Sequence, residues 1–144
     1  MDKNELASKI VTQMIEKDHF SKWLGIEVLE TGAGISTLRM IVRQEMLNGF
    51  GICHGGVTFS LADSAFAFAS NAHGRVAFAL DIVMSYPNPV NLGDVLTATA
   101  EEQKIGKSTG IYDITITNQT GKKVGLFRGT VFRTDKEYFP EIER

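Results

Sequence analysis

Apolar and polar positions change rhythm several times along this chain, and those changes predict its elements. Residues 3–18 are mostly polar, with Leu6, Ile10, Met14 and Ile15 at helical spacing, which predicts an amphipathic N-terminal helix. Phe20, Trp23 and Leu24 form a short apolar patch that Gly25 ends. Ile26 to Glu30 reads as a short strand. After Gly32-Ala33-Gly34, Ser36 to Val42 mostly alternates, with Leu38, Met40 and Val42 on one face. Glu45 to Cys53, with Asn48-Gly49 and Gly51, reads as loop. Val57 to His73 then runs 17 residues without Gly or Pro. Its apolar residues lie nearly all round, which predicts a buried helix. Gly55-Gly56 precede it and Gly74 closes it. Strands alone follow: Val76–Tyr86, Asp94–Glu102, Ile111–Asn118 and Val124–Arg133, with turns at Gly106-Lys107 and Thr120-Gly121.

One helix cannot cover both faces of so many strands. An antiparallel sheet of five to six strands wrapped around one long apolar helix is the economical solution, an α+β fold with an added N-terminal helix. A sheet face or edge is then left for a partner chain, and a symmetric homo-oligomer is the expected answer.

Composition narrows this picture. The 144 residues amount to one domain, 1–144, with a core about 20–134 and the N-terminal helix about 3–18. Hydrophobic residues at 43% and charged residues at 22% argue against disorder. A net charge of −2 supplies no field to attract nucleic acid. Cys53 is the single cysteine, so no internal disulfide or cysteine-built zinc site can form. No basic-then-apolar leader and no membrane-length apolar run is visible, so the expected location is the cytoplasm, away from membranes.

Chemistry concentrates around the long helix. Asp63 is its lone charged residue between Gly56 and His73. Burial of a carboxylate raises its pKa, which suits a general base or nucleophile. The bland alternative is an Asp held by neighbouring Ser or Thr hydroxyls. At about 100° per residue, Asp63 shares a face with Gly56, Phe59, Ser60, Phe66, Ala67 and Ser70. His54-Gly55-Gly56 opens the helix, where bare backbone N–H groups and the helix dipole favour a developing oxyanion. A plain flexible helix start would look the same. Gly55 precedes Asp63 by about 11–12 Å of helix axis, too far for both to act on one carbonyl within a chain; a carboxylate from a neighbouring chain could close that gap. Asn48-Gly49 is a generic turn, or an amide placed to orient water or a carbonyl.

Weaker features carry less. Cys53 beside His54 is no dyad by adjacency. His19 and His73 lack ligand-spaced partners, so no metal is expected. Asn118-Gln119-Thr120 is read as a hairpin turn, and Asp81 as a structural, hydrogen-bonded carboxylate.

Taken together, Met46-Leu47-Asn48-Gly49, Cys53-His54-Gly55-Gly56 and Phe59-Ser60-Leu61-Ala62-Asp63-Ser64-Ala65-Phe66 resemble the hotdog-fold acyl-CoA thioesterases, nearest their phenylacetate-pathway (PaaI-type) branch. Gly93–Ala100, Gly110–Ile114 and Leu126–Gly129 resemble it too. The resemblance implies a hotdog fold and a homodimer with each active site between two chains, assembled further into a homotetramer. It implies an acyl-CoA substrate and no cofactor beyond the coenzyme A that substrate carries. Asp63 matches the catalytic carboxylate, Gly55 the N–H on the thioester carbonyl, Asn48 the positioning amide and His54 the supporting histidine. We place the acyl group against Phe59, Phe66 and the Phe50-Gly51-Ile52 loop, with Gly56 and Ser64 also beside the substrate. Asn88-Pro89 stands where the family often has Arg-Pro, and Phe50-Gly51-Ile52 is more apolar than that loop usually is. The rival readings are an enoyl-thioester hydratase or dehydratase, which would have to pair His54 with Asp63 across chains, and a non-catalytic acyl-CoA-binding module.

Overall fold

A computed structural model describes residues 1–141. Helix α1 (Lys3–Lys17) starts where the Asp2 carboxylate accepts the Glu5 N–H at 2.8 Å, which satisfies one of the donors a helix start leaves bare. Its stripe of Leu6, Ala7, Ile10 and Val11 is buried. Asp18 caps helix α2 (His19–Leu24), which ends at Gly25 with φ 77°, a conformation that side chains resist.

Six strands form one antiparallel sheet: β1 (Glu27–Gly32), β2 (Ile35–Ile41), β3 (Arg75–Ser85), β4 (Val95–Ile105), β5 (Thr109–Thr117) and β6 (Lys123–Glu137). Their order is β1-β2-β4-β5-β6-β3. Helix α3 (Gly55–Asn71) lies along one face and touches every strand. Period-two alternation decides which side chains meet it. Leu38 and Met40 of β2, Leu96 and Ala98 of β4, and Tyr112 and Ile114 of β5 are all buried. Phe66 of α3 sits over Gly129 of β6, where a Cβ would lie 2.6 Å from the Phe66 ring. The Phe66 ring meets Tyr112 at 5.8 Å and Phe127 at 5.4 Å. This is the predicted α+β hotdog architecture.

Three details differ from the sequence reading. First, α3 begins at Gly55, so the glycine pair lies inside its first turn and His54 is the cap. It ends at Asn71, whose side chain bonds Ala67 and Ala77 and turns the chain into β3. Second, α3 is not buried all round. Its sheet-facing side is covered, but Gly56, Ser60, Asp63 and Ala67 form a line with partial or full solvent exposure. Among the described residues, no element fully covers that line. Third, β4 and β6 run longer than read. A bulge between Glu102 and Lys104 keeps β4 paired through polar residues where alternation breaks.

The sheet ends at β1 and β3. On β3, Phe78, Leu80 and Val83 are 61%, 60% and 72% exposed. An unpaired edge bearing such side chains favours a further strand.

Candidate active site

The N-terminus of α3 is built by its incoming loop. Cys53 N–H donates to the Val90 carbonyl at 2.8 Å, and His54 N–H to the Met46 carbonyl at 2.8 Å. His54 Nδ1 accepts the Gly56 N–H at 2.9 Å. The Gly55 N–H has no partner among the described residues. One donor of the helix terminus is thus left for a ligand, with the helix dipole behind it.

Around Gly55 is a cavity of about 330 Å³ whose lining includes Asn48, Ile52, Thr58, Tyr86 and Asn88. Asn48 Oδ1 accepts the N–H groups of Phe50 at 2.9 Å and Ile52 at 3.3 Å. That fixes the loop and leaves the Asn48 amide nitrogen without a partner among the described residues. Asn48 thus shapes the turn that the sequence predicts. Tyr86 was missed. Its hydroxyl donates to the Gly55 carbonyl at 3.1 Å, and its ring lies 3.4 Å from where a Gly55 Cβ would stand. A lone Tyr after an apolar strand gives no signal in sequence, because its role depends on β3 ending beside α3.

Asp63 stands two turns along the helix, half-buried. No hydrogen bond among the described residues reaches its carboxylate. Burial pushes its pKa above the ordinary value, and nearby Asp18 raises it further. Asp18 was also missed. Its carboxylate accepts the Ser21 hydroxyl at 2.6 Å, and Ser21 Oγ meets Ser64 Oγ at 2.8 Å. The cap of α2 is thereby tied to the residue beside Asp63.

Several assignments change. Ser64 is partly exposed, and its Oγ meets Ser21 Oγ at 2.8 Å, which ties α3 to α2. Phe66 is 1% exposed and belongs to the core, because its position on α3 faces β6. Phe59 is half-buried, and its ring meets Phe127 at 5.6 Å in a tilted contact. Phe50 is 91% exposed at the loop tip. Gly56 N–H is used by His54, so Gly55 is the only free donor of the pair. Asp81 is exposed, with no hydrogen-bond partner among the described residues, because β3 is an edge strand. Asn88 donates to the Lys123 carbonyl at 2.8 Å and anchors its loop to β6.

Cys53 is buried, with its Sγ 3.9 Å from Thr58 Oγ1, and burial pushes its thiol pKa up. A thiol held protonated is a poor nucleophile. Among the described residues, no three His, Cys, Asp or Glu side chains gather to hold a metal ion. No helix among them is long and apolar enough to cross a membrane.

The thioesterase superfamily profile matches residues 50–125, which span the Asn48 loop's end, the Gly55 terminus and Asp63. This chain belongs to the thioesterase superfamily. It is 47% identical over 120 residues to the acyl-coenzyme A thioesterase PaaI of Escherichia coli, covering 83% of this chain and 86% of that one. A solved structure of the E. coli PaaI protein from the phenylacetic acid degradation operon superposes with a TM-score of 0.92 at 42% identity. That match covers 94% of this chain and 99% of the other. A hypothetical thioesterase protein from Streptococcus pneumoniae, solved with coenzyme A, matches at TM-score 0.82 and 28% identity, over 88% of this chain and 98% of that one. The chain is a thioester hydrolase of the PaaI-like branch.

Proposed function

We propose that the protein hydrolyses acyl-CoA thioesters of the aryl-acyl class, phenylacetyl-CoA being the model substrate, to the free acid and coenzyme A. One observation carries this reading: a free N–H at Gly55 and an unpaired, partly buried carboxylate at Asp63 lie on one helix, about 12 Å apart along its axis. Neither residue can complete a site alone. Two chains joined through the open β3 edge, with their α3 helices antiparallel, would bring Gly55 of each beside Asp63 of the other. The function thus requires a homodimer, and we extend it to a homotetramer on the family resemblance.

In this scheme the thioester carbonyl oxygen accepts the Gly55 N–H. Asp63 of the other chain removes a proton from water as the water oxygen attacks the carbonyl carbon. Charge gathers on the oxyanion, where the helix terminus stabilises it most. The tetrahedral intermediate collapses, the C–S bond breaks, and the sulfur leaves as thiolate and takes up a proton. Direct attack by Asp63 would form an anhydride that water then opens. Asn48 orients water or carbonyl, and His54 holds the Gly55-Gly56 turn. No cofactor is needed beyond the coenzyme A of the substrate. Ordinary charge, the lone buried Cys53 and PaaI-like kinship support a cytoplasmic place of action.

Complementation tests the scheme. Asp63→Ala and Gly55→Pro chains are each expected to be inactive in a thiol-release assay. Coexpressed, they should regain about a quarter of wild-type activity, since half the dimers are mixed and each holds one intact site. Mixed dimers detected by mass spectrometry but without activity would overturn the shared site. Conversion of crotonyl-CoA without thiol release would favour a hydratase, and tight binding without turnover a binding module.

A further inference from the structure

We infer that Tyr86 is a positioning residue for the Gly55 donor: its hydroxyl, with the His54 ring opposite, clamps the Gly55–Gly56 peptide and so aims the Gly55 N–H at the thioester carbonyl. The inference rests on the thioesterase reading above and assigns a further residue to its reaction. Two consecutive peptide groups open α3, and each carries one acceptor and one donor. The His54 carbonyl accepts the Val57 N–H at 2.9 Å. The Gly55 carbonyl accepts the Tyr86 hydroxyl at 3.1 Å. The Gly56 N–H donates to His54 Nδ1 at 2.9 Å. The Gly55 N–H alone has no partner among the described residues. A backbone donor left over among satisfied neighbours needs a reason. The Tyr86 bond is the one that reaches this turn from outside the helix and its cap, from the end of β3.

The Gly55 carbonyl and the Gly56 N–H belong to one peptide plane. Tyr86 therefore holds that plane at its oxygen and His54 at its hydrogen. Hydrogen bonds in such a line polarise one another, and a rigid plane held at both ends resists rotation. The grip matters because two successive glycines lack the Cβ that confines other residues. Without it, a first turn made of Gly55-Gly56 would spread its N–H over many directions. An oxyanion donor acts only when it points to where charge develops. The same contacts account for the missing side chains. A Cβ on Gly55 would lie 3.4 Å from the Tyr86 ring, and one on Gly56 would lie 3.0 Å from His54 Nδ1. The base of the clamp is firm. Ser85, the residue before Tyr86, pairs with Leu126 of β6, and Asn88 donates to the Lys123 carbonyl at 2.8 Å. Tyr86 and Gly55 both line the cavity of about 330 Å³, so the clamp stands at the edge of the space the carbonyl enters. Burial pushes the Tyr86 pKa up, so the hydroxyl keeps its proton at neutral pH.

The test is steady-state kinetics of Tyr86→Phe, which deletes one oxygen from a half-exposed side chain and keeps the ring on Gly55. On whichever of phenylacetyl-, octanoyl- and acetyl-CoA the wild-type protein cleaves fastest, kcat should fall about three- to tenfold, the weight of one hydrogen bond. KM and the melting temperature should stay unchanged. Tyr86→Leu, which lacks donor and ring, should lose at least as much kcat, and it decides by the same split should Tyr86→Phe not fold. The loss should also vanish where no N–H is left to aim. In a Gly55→Pro background, assayed at raised protein concentration, adding Tyr86→Phe should leave the residual rate unchanged. Wild-type kcat in both Tyr86 variants, a loss confined to KM, or a full further loss in the Gly55→Pro background would overturn the clamp while leaving the hydrolase intact. Absence of thiol release by the wild-type protein on all three thioesters would instead overturn the function reading.

Discussion

The two sides of helix α3 obey different rules. Toward the sheet, Leu61, Ala62, Ala65, Phe66, Phe68 and Ala69 are at most 1% exposed. Phe66 fits so closely over Gly129 that a single added carbon would collide with it. Toward the outside, Gly56, Ser60, Asp63 and Ala67 are covered incompletely, and Asp63 has no partner among the described residues. The inner side contributes packing energy. The outer side leaves a donor and a carboxylate unsatisfied in a place where satisfying them internally would remove their use. If the proposed site is right, the helix divides core and chemistry by face, and mutations on the two sides should fail in different ways.

The sharpest break in that contrast is Asp63→Ala. It should lower kcat by about 10²–10⁴-fold, the usual weight of a positioned base, with the circular-dichroism spectrum and melting temperature preserved. Loss of fold along with activity would erase the distinction. Phe66→Ala should do the reverse. A truncated core aromatic costs about 3–5 kcal/mol, read by urea unfolding, and the molecules that remain folded should turn over at near-normal rates. Third comes Gly55→Pro. Proline lacks the N–H yet is well tolerated at a first helical position, and His54 is already extended at φ −62°, ψ 132°, as a residue before proline must be. Turnover should drop about 10²–10³-fold with little loss of stability.

The smallest effects concern charge. Asp63 has a folded-state pKa above the unfolded value, so its ionised form is disfavoured by folding. The cost is present at neutral pH and disappears as pH falls through both values. Asp63→Asn should therefore raise the melting temperature by about a few degrees near pH 7, and the gain should shrink toward pH 3. As a base, Asp63 must be ionised, so wild-type kcat/KM should rise with pH through a value above the ordinary carboxylate range. A pH profile flat from acid to neutral would remove Asp63 from the proton transfer.

Legibility followed the range of the interactions. The order of elements, the long helix and the turns at residues 106 and 120 were readable because periodicity and turn chemistry are local. That Gly55 and Asp63 lie on one helix, about two turns apart, was readable because spacing alone converts to distance. Phe66 was misplaced because 100° per residue gives its angle relative to Asp63 but says nothing of where the sheet lies. The tie of Ser64 to Ser21 was not readable because the two lie 43 residues apart. Tyr86 and Asp18 were overlooked for the same reason.

What this sequence determined unaided is a thioesterase-like chain: one apolar helix that carries a glycine terminus and a single carboxylate, with strands to wrap it. Those are properties of neighbouring residues, and backbone sterics and hydrophobic period enforce them wherever the chain folds. Tertiary structure alone decided which face of that helix stays open within the chain, which hydroxyls bond one another, and that Phe139 packs against Leu6 and Ile10 of α1. Each depends on contacts between residues far apart in sequence, and only close packing chooses among them.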